Sequence, residues 1–284
     1  MTATKLESLN PQLFNEFLDG RTEPAWLTHL RREAFDQFMT MKWRSDLRPF
    51  KMESYPVLRS SASTSSTAPV RLAQDVDLAG RVATVDGKTV TDELDPADAK
   101  HGIAFCSMER AVLEHEELIR EHLWTVMDHS VNRFAALHAA TWQGGAFLYV
   151  PRNQSLQRPV HIHAAITNGA YDSGHHLIVV GENAEATVLY ESASPSENDG
   201  GLQCDGLEII VHASIQWTIA AMGSRFTQVS QQVALIGEGA ASQVNGVMFT
   251  REQQQLTYNT LQEHIAKNCR SDFLYKSALQ DQSK

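Results

Sequence analysis

The stretch LIVVGENAEATVLY at residues 177–190 joins a short apolar run to an alternating apolar segment through the tetrad Gly-Glu-x-Ala. The same frame recurs in ALIGEGAASQVNGV at residues 234–247, so the tetrad starts at Gly181 and again at Gly237. A glycine turn that recurs between short strands is typical of the stacked coils of a β-solenoid. The repeat favours a β-helix, although a hairpin in a β-sandwich could use the same turn twice. We expect both glycines to hold positive φ at equivalent coil corners.

The region from residue 145 onward has a hydrophobic period of two. Short segments rich in Val, Ile, Leu and aromatic residues follow one another: AFLYV, HLIVV, ATVLY, LEIIV, QWTIAAM, QQVALI and VNGVMF. Turn residues separate these segments about every 8 to 12 positions. No helix-length pattern intervenes, which argues against alternating strands and helices. A sandwich, a barrel or a β-helix remains, and the repeat favours the β-helix.

The first third of the chain contains two helical patterns and then a polar linker. Residues 10–20 end in Gly20, a natural C-terminal stop, and residues 22–41 begin with Pro24, whose missing N–H costs little in a first turn. Residues 59–69, RSSASTSSTAP, read as a Ser/Thr-rich linker. The two predicted apolar faces are Leu13, Phe14, Phe17 and Leu18, and Leu27, Leu30, Ala34 and Phe38.

A second helical region precedes the β-rich half. SMERAVLEHEELIREHL begins at Ser107, a predicted N-cap, and VNRFAALHAATW places Phe134, Leu137 and His138 on one side of a short helix. The predicted organisation is therefore an N-terminal helical region at 1–58, a Ser-rich linker with a short irregular segment at 59–101, a helical cap at 102–143, and a β-helix core at 144–284 that is incomplete at its C-terminal end.

The composition of the chain argues against several classes of function. The 284 residues carry a formal charge of -10, which argues against a nucleic-acid binder because phosphate contacts need a surplus of Lys and Arg. No apolar run approaches the ~18 residues of a membrane span. The N-terminus has no apolar signal-peptide region. The 3 cysteines lie far apart in the sequence, so we expect a cytoplasmic chain without a disulfide framework.

The segment GGAFLYVPRNQSLQRPVHIH, residues 144–163, ends in a His-x-His pair. His161 and His163 would share one face of a strand, as in the cupin metal motif. That motif needs a Glu three or four positions later, where this chain has Thr167 and Asn168. We therefore expect two polar residues on the outer face of a strand and no metal site. The adjacent His175 and His176 would face opposite ways.

The remaining motifs and cysteines give little indication of a functional site. GEGAAS at 237–242 lacks the third glycine of a dinucleotide motif and no helix pattern follows it. Cys204 lies in the Gly-rich GGLQCDG, which predicts a turn, with no positive partner nearby. Cys269 has Lys267 and Arg270 as neighbours, and His264 lies five residues before it. We assign no catalytic, cofactor-binding or metal-binding residue, and the chain is predicted not to be an enzyme.

Several blocks resemble one family in the same order. FAALHAATWQGGAFLYVPRN resembles an F-x-A-L-N-x-A helix followed by a G-x-F-x-Y-V-P-K-G strand, and HHLIVVGENAEATVLYE resembles a strand, Gly-Glu-x-Ala and strand signature. The blocks LEIIVHASIQWTIAAM, QQVALIGEGAASQVNGVMF and HIAKNCRSDFLYKSALQDQSK continue in that order, and MKWRSDLRPF is a looser match upstream. Together they resemble the SufB/SufD family, which assembles iron–sulfur clusters. The resemblance implies a right-handed parallel β-helix core and a complex with the paralogue SufB and the ATPase SufC.

One departure distinguishes the paralogues. SufB proteins commonly carry a cysteine in a CSAP turn, where YESASPSEN here has Ser192 and Ala193. The resemblance therefore implies a SufD-like, non-catalytic scaffold. Its implied partners are a SufB-like paralogue, a SufC-like ATPase and a possible second copy of the chain, with no nucleic acid and no membrane. No cofactor is expected on this chain alone, because the family assembles its iron–sulfur cluster transiently at the complex interface.

The family pattern continues beyond the end of this sequence, with further coils, a CSHG turn and a helical domain that grips the ATPase. We therefore expect this chain not to bind the ATPase by itself and to self-associate through residues near 255–279. For the fold, an antiparallel β-sandwich or barrel remains the alternative. For the function, three alternatives remain open: a metal-dependent β-barrel enzyme of the cupin type, a SufB-like cluster scaffold, and a purely structural β-solenoid without a role in cluster assembly.

Overall fold

The computed structural model of the 284-residue chain describes residues 9–42, 70–167, 169–194 and 201–284. The predicted linker at 59–69 lies outside these residues. The helices are α1 (Pro11–Asp19), α2 (Ala25–Thr40), α3 (Pro96–Ala99), α4 (Met108–Glu114), α5 (Glu116–His122) and α6 (Arg133–Thr141). None of the helices in the described ranges is long and apolar enough to cross a bilayer.

The strands occupy most of the chain after residue 79. They are β1 (Gly80–Val85), β2 (Lys88–Leu94), β3 (Ala104–Ser107), β4 (Ala146–Val150), β5 (Val160–Ala165), β6 (Tyr171–Asp172), β7 (His175–Val180), β8 (Glu185–Ala193), β9 (Leu202–Val211), β10 (Ser214–Ala221), β11 (Phe226–Leu235), β12 (Ala241–Thr250), β13 (Gln255–His264) and β14 (Arg270–Leu279). All seven segments predicted from the period of two lie within or largely within these strands.

The strands form two seven-membered groups that the chain visits in turn. Sheet A has the order β14-β12-β10-β8-β5-β1-β2, and sheet B has the order β13-β11-β9-β7-β4-β3, with β6 pairing β9. Pairing between successive coils is parallel, whereas β1 with β2 and β3 with β4 are antiparallel. The result is a β-solenoid of about 4 turns, and 44% of the described residues lie in strands and 21% in helices. The predicted parallel β-helix is confirmed, and the antiparallel sandwich or barrel is excluded.

The core lies between the inner faces of the two sheets. Side chains at equivalent positions of successive coils stack on one another, because parallel pairing keeps the same register from rung to rung. Each buried aliphatic or aromatic side chain contributes roughly 1.5–3 kcal/mol to folding. One such ladder of sheet A consists of Val160, Val188, Trp217, Val244 and Phe273, of which the first four are buried.

The helices cover the outer face of sheet B. That face is apolar near its start, where Phe147 and Leu177 pack against the buried Met108 and Ile119 of α4 and α5. Further along the chain, α6 packs with α1 and α2 in a second cluster that includes Phe14 and Leu202. The predicted apolar faces of α1 and α2 are largely confirmed, although Leu13, Phe17 and Leu30 are only partly buried. Ser107 caps α4 as predicted, accepting the N–H of Arg110.

Two regional expectations need correction. The segment within 59–101 that was expected to be irregular contains the hairpin β1–β2, whose strand β1 pairs in parallel with β5. The hairpin turn is Asp86-Gly87, with φ of 50° and 76°. These values suit the tight turn that Asp-Gly sequences favour. In the cap, the single predicted helix from Ser107 is divided into α4 and α5 at His115, whose φ and ψ are -127° and 36°.

The glycines of the repeat are required for a different reason from the one expected. Neither Gly181 nor Gly237 has positive φ; the third residue of each tetrad does, Asn183 at 53° and Gly239 at 76°. A Cβ on Gly181 would lie 2.7 Å from the backbone nitrogen of Arg152 in the preceding coil, and one on Gly237 would overlap the His212 carbonyl. Close backbone approach between coils, and not φ, therefore excludes side chains there.

Candidate functional site

His161 and His163 lie on the outer face of sheet A, as predicted, but they are not exposed. Their exposed fractions are 0% and 6%. The expectation of surface polar residues is therefore wrong. The described segment at residues 70–72, which we call the strap, lies against this face and bonds to the neighbouring strand β8. Burying a polar group costs free energy unless it has a hydrogen-bonding or charged partner, so the residues beside the histidines decide how these rings are accommodated.

Glu191 supplies the negative charge of this cluster. It lies on β8 directly beside His163 in the ladder and is fully buried. Its carboxylate accepts the backbone N–H groups of Arg71 and Leu72 at 2.8–3.0 Å, and its Oε2 lies 3.6 Å from Nε2 of His161. Burial would raise the pKa of Glu191, but His161 and the two N–H donors together lower it. The carboxylate thus fastens the strap to the outer face of the sheet.

The environment keeps His163 neutral. Its pKa falls to about 4, mainly because burial disfavours the charged ring, with Glu191 acting in the opposite direction. In the described ranges, no group of three or more His, Cys, Asp or Glu side chains is arranged to hold a metal ion. The cupin-type alternative also fails on the fold, because cupins are antiparallel jelly-roll barrels.

His175 and His176 face opposite ways, as predicted. His176 points into the solenoid, where its ring meets Tyr190 edge-on at 5.1 Å and its Nδ1 accepts the N–H of Ala146. Burial lowers the pKa of His176 to about 3. His175 lies under the helical cap, and its pairing with a glutamate makes it the counterpart of His161 on the other sheet.

Glu208 on β9 is the carboxylate of this second cluster. Its Oε1 accepts the N–H of Trp124 at 2.7 Å, and its Oε2 accepts the N–H groups of Val126 and Met127, both at 3.0 Å. Nε2 of His175 lies 3.2 Å from Oε1. Each sheet therefore presents one buried histidine–glutamate pair on its outer face, and each glutamate binds backbone N–H groups of a segment that crosses that face.

His138 of α6 extends the second cluster. Its Nε2 lies 3.1 Å from Nδ1 of His175, and its own Nδ1 lies 2.9 Å from the carbonyl oxygen of Cys204. Burial and the neighbouring His175 lower the pKa of His138 well below its ordinary value. The ring of Trp124 covers the pair, with its centroid 4.6 Å from that of His175.

A third polar cluster lies inside the solenoid. Asp205 accepts the hydroxyl of Tyr190 and the side-chain amide of Gln203, both at 2.6 Å, and the N–H of Gly174 at 2.8 Å. Asp172 accepts the N–H of Gly87 at 2.7 Å. Burial raises the pKa of both carboxyl groups, and their mutual repulsion raises that of Asp172 well above the ordinary range. Asp172 is therefore the carboxyl group of the pair whose ionised form is more strongly disfavoured.

Burial disfavours the thiolate form of two of the three cysteines. Cys204 lies within β9 and is buried, so the predicted exposed turn is wrong; burial raises its pKa. Burial also raises the pKa of Cys106, to about 11. Cys269 lies at a coil corner and is partly buried, with its Sγ 3.3 Å from the Ala266 carbonyl oxygen.

Sequence reasoning missed the two glutamates and a buried arginine. Arg31 interrupts the apolar face of α2; it is fully buried, bonded to Glu23 at 3.0 Å and to the carbonyl of Trp142 at 2.9 Å. Burial lowers the pKa of Arg31 to about 9. A charged residue inside an otherwise apolar segment could have indicated these buried charges. Glu208, the one charged residue in LEIIV, is an example.

Comparison with known protein families agrees with this geometry. The family model described as "SUF system FeS cluster assembly, SufBD core domain" matches residues 211–284, and "SufBD protein N-terminal region" matches residues 78–162. Together the two matches cover more than half of the chain. The chain belongs to the SufB/SufD family.

Relatives within the SufB/SufD family are distant but extensive. A protein of Staphylococcus saprophyticus named as an iron-sulfur cluster assembly SufBD family protein is 24% identical, over 97% of this chain and 70% of its own length. Similarly named proteins of Staphylococcus epidermidis and Staphylococcus haemolyticus are each 25% identical, over 95% of this chain and 68% of their own. The similarity therefore includes the helical cap as well as the coils.

Proposed function

We propose that this SufB/SufD family protein is a SufD-like, non-catalytic scaffold subunit of the SUF machinery. It would pair with a SufB-type paralogue and work with a SufC-type ATPase in the cytoplasm. The observation that carries the SufD-like assignment is the end of β8, where Ser192 and Ala193 occupy the position at which SufB proteins carry a cysteine. Both residues are buried, so neither offers an accessible ligand for iron or sulfur.

The thiols support the same assignment. A cluster scaffold needs thiolates that can reach iron, and a raised pKa disfavours the thiolate. Cys106 and Cys204 are buried with raised pKa values, and Cys269 is the one partly accessible thiol. We propose that the chain contributes surface and shape to a cluster-building complex, and that the ligands of the transient cluster come from its partners.

The test is co-expression with the SufB-type and SufC-type proteins of the same organism. We expect an affinity tag on this chain to retain the SufB-type protein and, bound to that protein, the ATPase. We also expect anaerobic incubation with iron and sulfide to give cluster absorbance in the complex but not in this chain alone. A variant with Cys106, Cys204 and Cys269 all replaced by alanine should assemble as much cluster per folded complex as the wild type.

Two results would contradict the proposal. Stable cluster on the isolated chain, lost on replacing Cys269, would indicate a SufB-like scaffold. Failure to retain either partner at near-physiological salt would indicate a solenoid without a role in the complex. Circular dichroism of the triple variant serves as the folding control, because two of the replaced thiols are buried.

A further inference from the structure

The strap is held to sheet A mainly through one carboxylate. Glu191 accepts the N–H of Arg71 through both oxygens, at 2.8 and 3.0 Å, and the N–H of Leu72 at 3.0 Å. Among the described residues, the other polar contact that joins residues 70–78 to the solenoid is an exposed ion pair between Asp77 and Arg158. The donors to Glu191 are backbone groups, so these bonds do not depend on the side chains of the strap.

Few apolar contacts add to these bonds. None of residues 70–78 is buried, and Val76 is 37% exposed. The segment that Glu208 holds on sheet B differs, because Met127 is buried there and Trp124 packs against an apolar cluster. Segments with few buried apolar contacts open locally at a small fraction of the free energy of global unfolding. The strap can therefore leave the sheet while the solenoid stays folded.

The face that the strap crosses contains buried polar atoms without partners. Within the described ranges, both ring nitrogens of His161 and Nε2 of His163 make no hydrogen bond, although these side chains are almost fully buried. A buried polar atom without a partner is destabilising. A segment with hydroxyl or amide side chains can supply hydrogen bonds that the strap does not.

An open groove begins beside the strap. A cavity of about 380 Å³ adjoins Arg71, and its lining includes Met222, Phe249 and Leu279. Phe249 is 55% exposed. A segment that takes the place of the strap can therefore continue into the groove and cover apolar side chains that the strap leaves exposed.

We propose that the outer face of sheet A at Glu191 is a docking site for an extended segment of a partner protein, and that the strap occupies this site as a replaceable placeholder. The segment would offer Glu191 two successive backbone N–H groups, as Arg71 and Leu72 do. It would carry no carboxylate beside them, because like charges repel strongly in a buried site. Hydroxyl or amide side chains would suit His161 and His163, and an apolar side chain would suit the groove.

A peptide supplied in trans tests the exchange. Replacing Arg71 and Leu72 together by proline removes both N–H donors and vacates Glu191. Fluorescence anisotropy would then follow a labelled peptide with the sequence of residues 70–78, VRLAQDVDL. We expect it to bind the double-proline variant at least about tenfold more tightly than the wild type, because the strap no longer competes in cis. Gln74→Pro adds a proline to the same segment but removes no donor to Glu191, so it should resemble the wild type.

Three controls define the site and its occupant. Adding Glu191→Gln to the double-proline variant should weaken peptide binding by about tenfold or more. The peptide VPPAQDVDL lacks the two donors and should not bind. The peptide VTSAQDVDL keeps the donors and adds hydroxyl groups. It should bind at least as tightly as VRLAQDVDL, because a partner's segment need not repeat the sequence of the strap.

Hydrogen exchange in the wild type gives a measurement that needs no variant. After correction for intrinsic rates, we expect the amides of Arg71 and Leu72 to be at least about tenfold less protected than those of Val126 and Met127, which bond to Glu208.

Three results would overturn the docking site. The first is a folded double-proline variant that binds VRLAQDVDL no more tightly than the wild type. The second is peptide binding that Glu191→Gln leaves unchanged. The third is exchange of the strap amides only through global unfolding. Binding of VRLAQDVDL without binding of VTSAQDVDL would assign the site to the strap of a second copy of this chain, and would overturn the partner segment.

Discussion

Gly246 lies directly beneath the ring of Tyr275 on the inner ladder of sheet A. The two residues are register partners in β12 and β14, and a Cβ on Gly246 would come within 2.5 Å of Cδ1 of Tyr275. The absence of a side chain in one coil therefore makes room for the aromatic side chain of the next.

Gly246→Ala is expected to lower the free energy of unfolding by about 1–3 kcal/mol, because the added methyl group overlaps the Tyr275 ring. Urea denaturation would measure the loss. In a Tyr275→Leu background the same alanine should cost less, since the ring is gone. An equal cost in both backgrounds would mean that another contact is responsible.

Gly237→Ala is expected to destabilise by about 1–3 kcal/mol, because the new Cβ overlaps the His212 carbonyl of the preceding coil. Two residues further on, Gly239→Asn should change the free energy of unfolding by no more than about 0.5 kcal/mol. Asn183 and Asn268 already hold φ of 53° and 60° at corners of other coils. Thermal and urea unfolding would measure the stability of both variants. A large loss of stability in Gly239→Asn together with no loss in Gly237→Ala would contradict the roles that we assign to the two glycines.

Replacing His161 and His163 together by alanine is expected to cost about 2–4 kcal/mol, because both side chains are buried and Glu191 loses its partner. The same replacement of two exposed histidines would lower the free energy of unfolding far less. Metal analysis should find the same iron and zinc content in the variant and the wild type. Stoichiometric metal in the wild type that disappears in the variant would establish a site that we do not assign.

Acid should destabilise the protein through its neutral buried histidines. The pKa values of His163 and His176 fall to about 4 and about 3 on burial, whereas an unfolded histidine titrates near 6.5. Between these values only the unfolded chain binds the proton, so stability is fully present above about pH 6.5 and is lost as the pH falls towards 4. Each histidine contributes a slope of at most about 1.4 kcal/mol per pH unit.

His163→Gln should make this acid slope shallower than that of the wild type, because the ring that stays neutral in the folded chain is gone. Urea unfolding at several pH values between about 4.5 and 7 would measure both slopes. A His163→Gln variant with the wild-type slope would show that the ring is already charged in the folded protein.

The outermost coil should promote association. Phe273, Leu274 and Leu279 of β14 are 42%, 50% and 60% exposed, and exposed strand edges with apolar side chains pair readily. We expect light scattering to show concentration-dependent self-association of the 284-residue chain. Phe273→Lys should reduce it, whereas Leu113→Lys, at an exposed apolar residue of α4, should not. A strictly monomeric wild type at high concentration would contradict this expectation.

Much of the coil architecture was readable from local pattern. The period of two identified strands, and the repeated tetrad placed two of them at equivalent positions in the solenoid. The hairpin β1–β2 was missed although its Asp86-Gly87 turn lies between alternating residues, which is a strong short-range hairpin signal.

The buried histidine–glutamate pairs could not be predicted in this way. The period of two correctly placed His161 on an outer face, but whether that face is covered depends on distant parts of the chain. The strap that bonds to Glu191 lies 120 residues before it, and Trp124 lies 84 residues before Glu208. Local periodicity contains no information about such contacts, so an outer position was mistaken for an exposed one.

The hairpin also makes the two ends of the solenoid unlike. Sheet A finishes on β2 and sheet B on β3, and both strands run against their neighbours. Because β2 also carries Lys88, Asp92 and Glu93, it is a poor template for a further parallel strand. Strand β2 therefore hinders the addition of a second copy at this end of the solenoid. Removing β1 and β2 would be expected to free the edge of β5, to which a parallel strand can add, and so to promote association of copies.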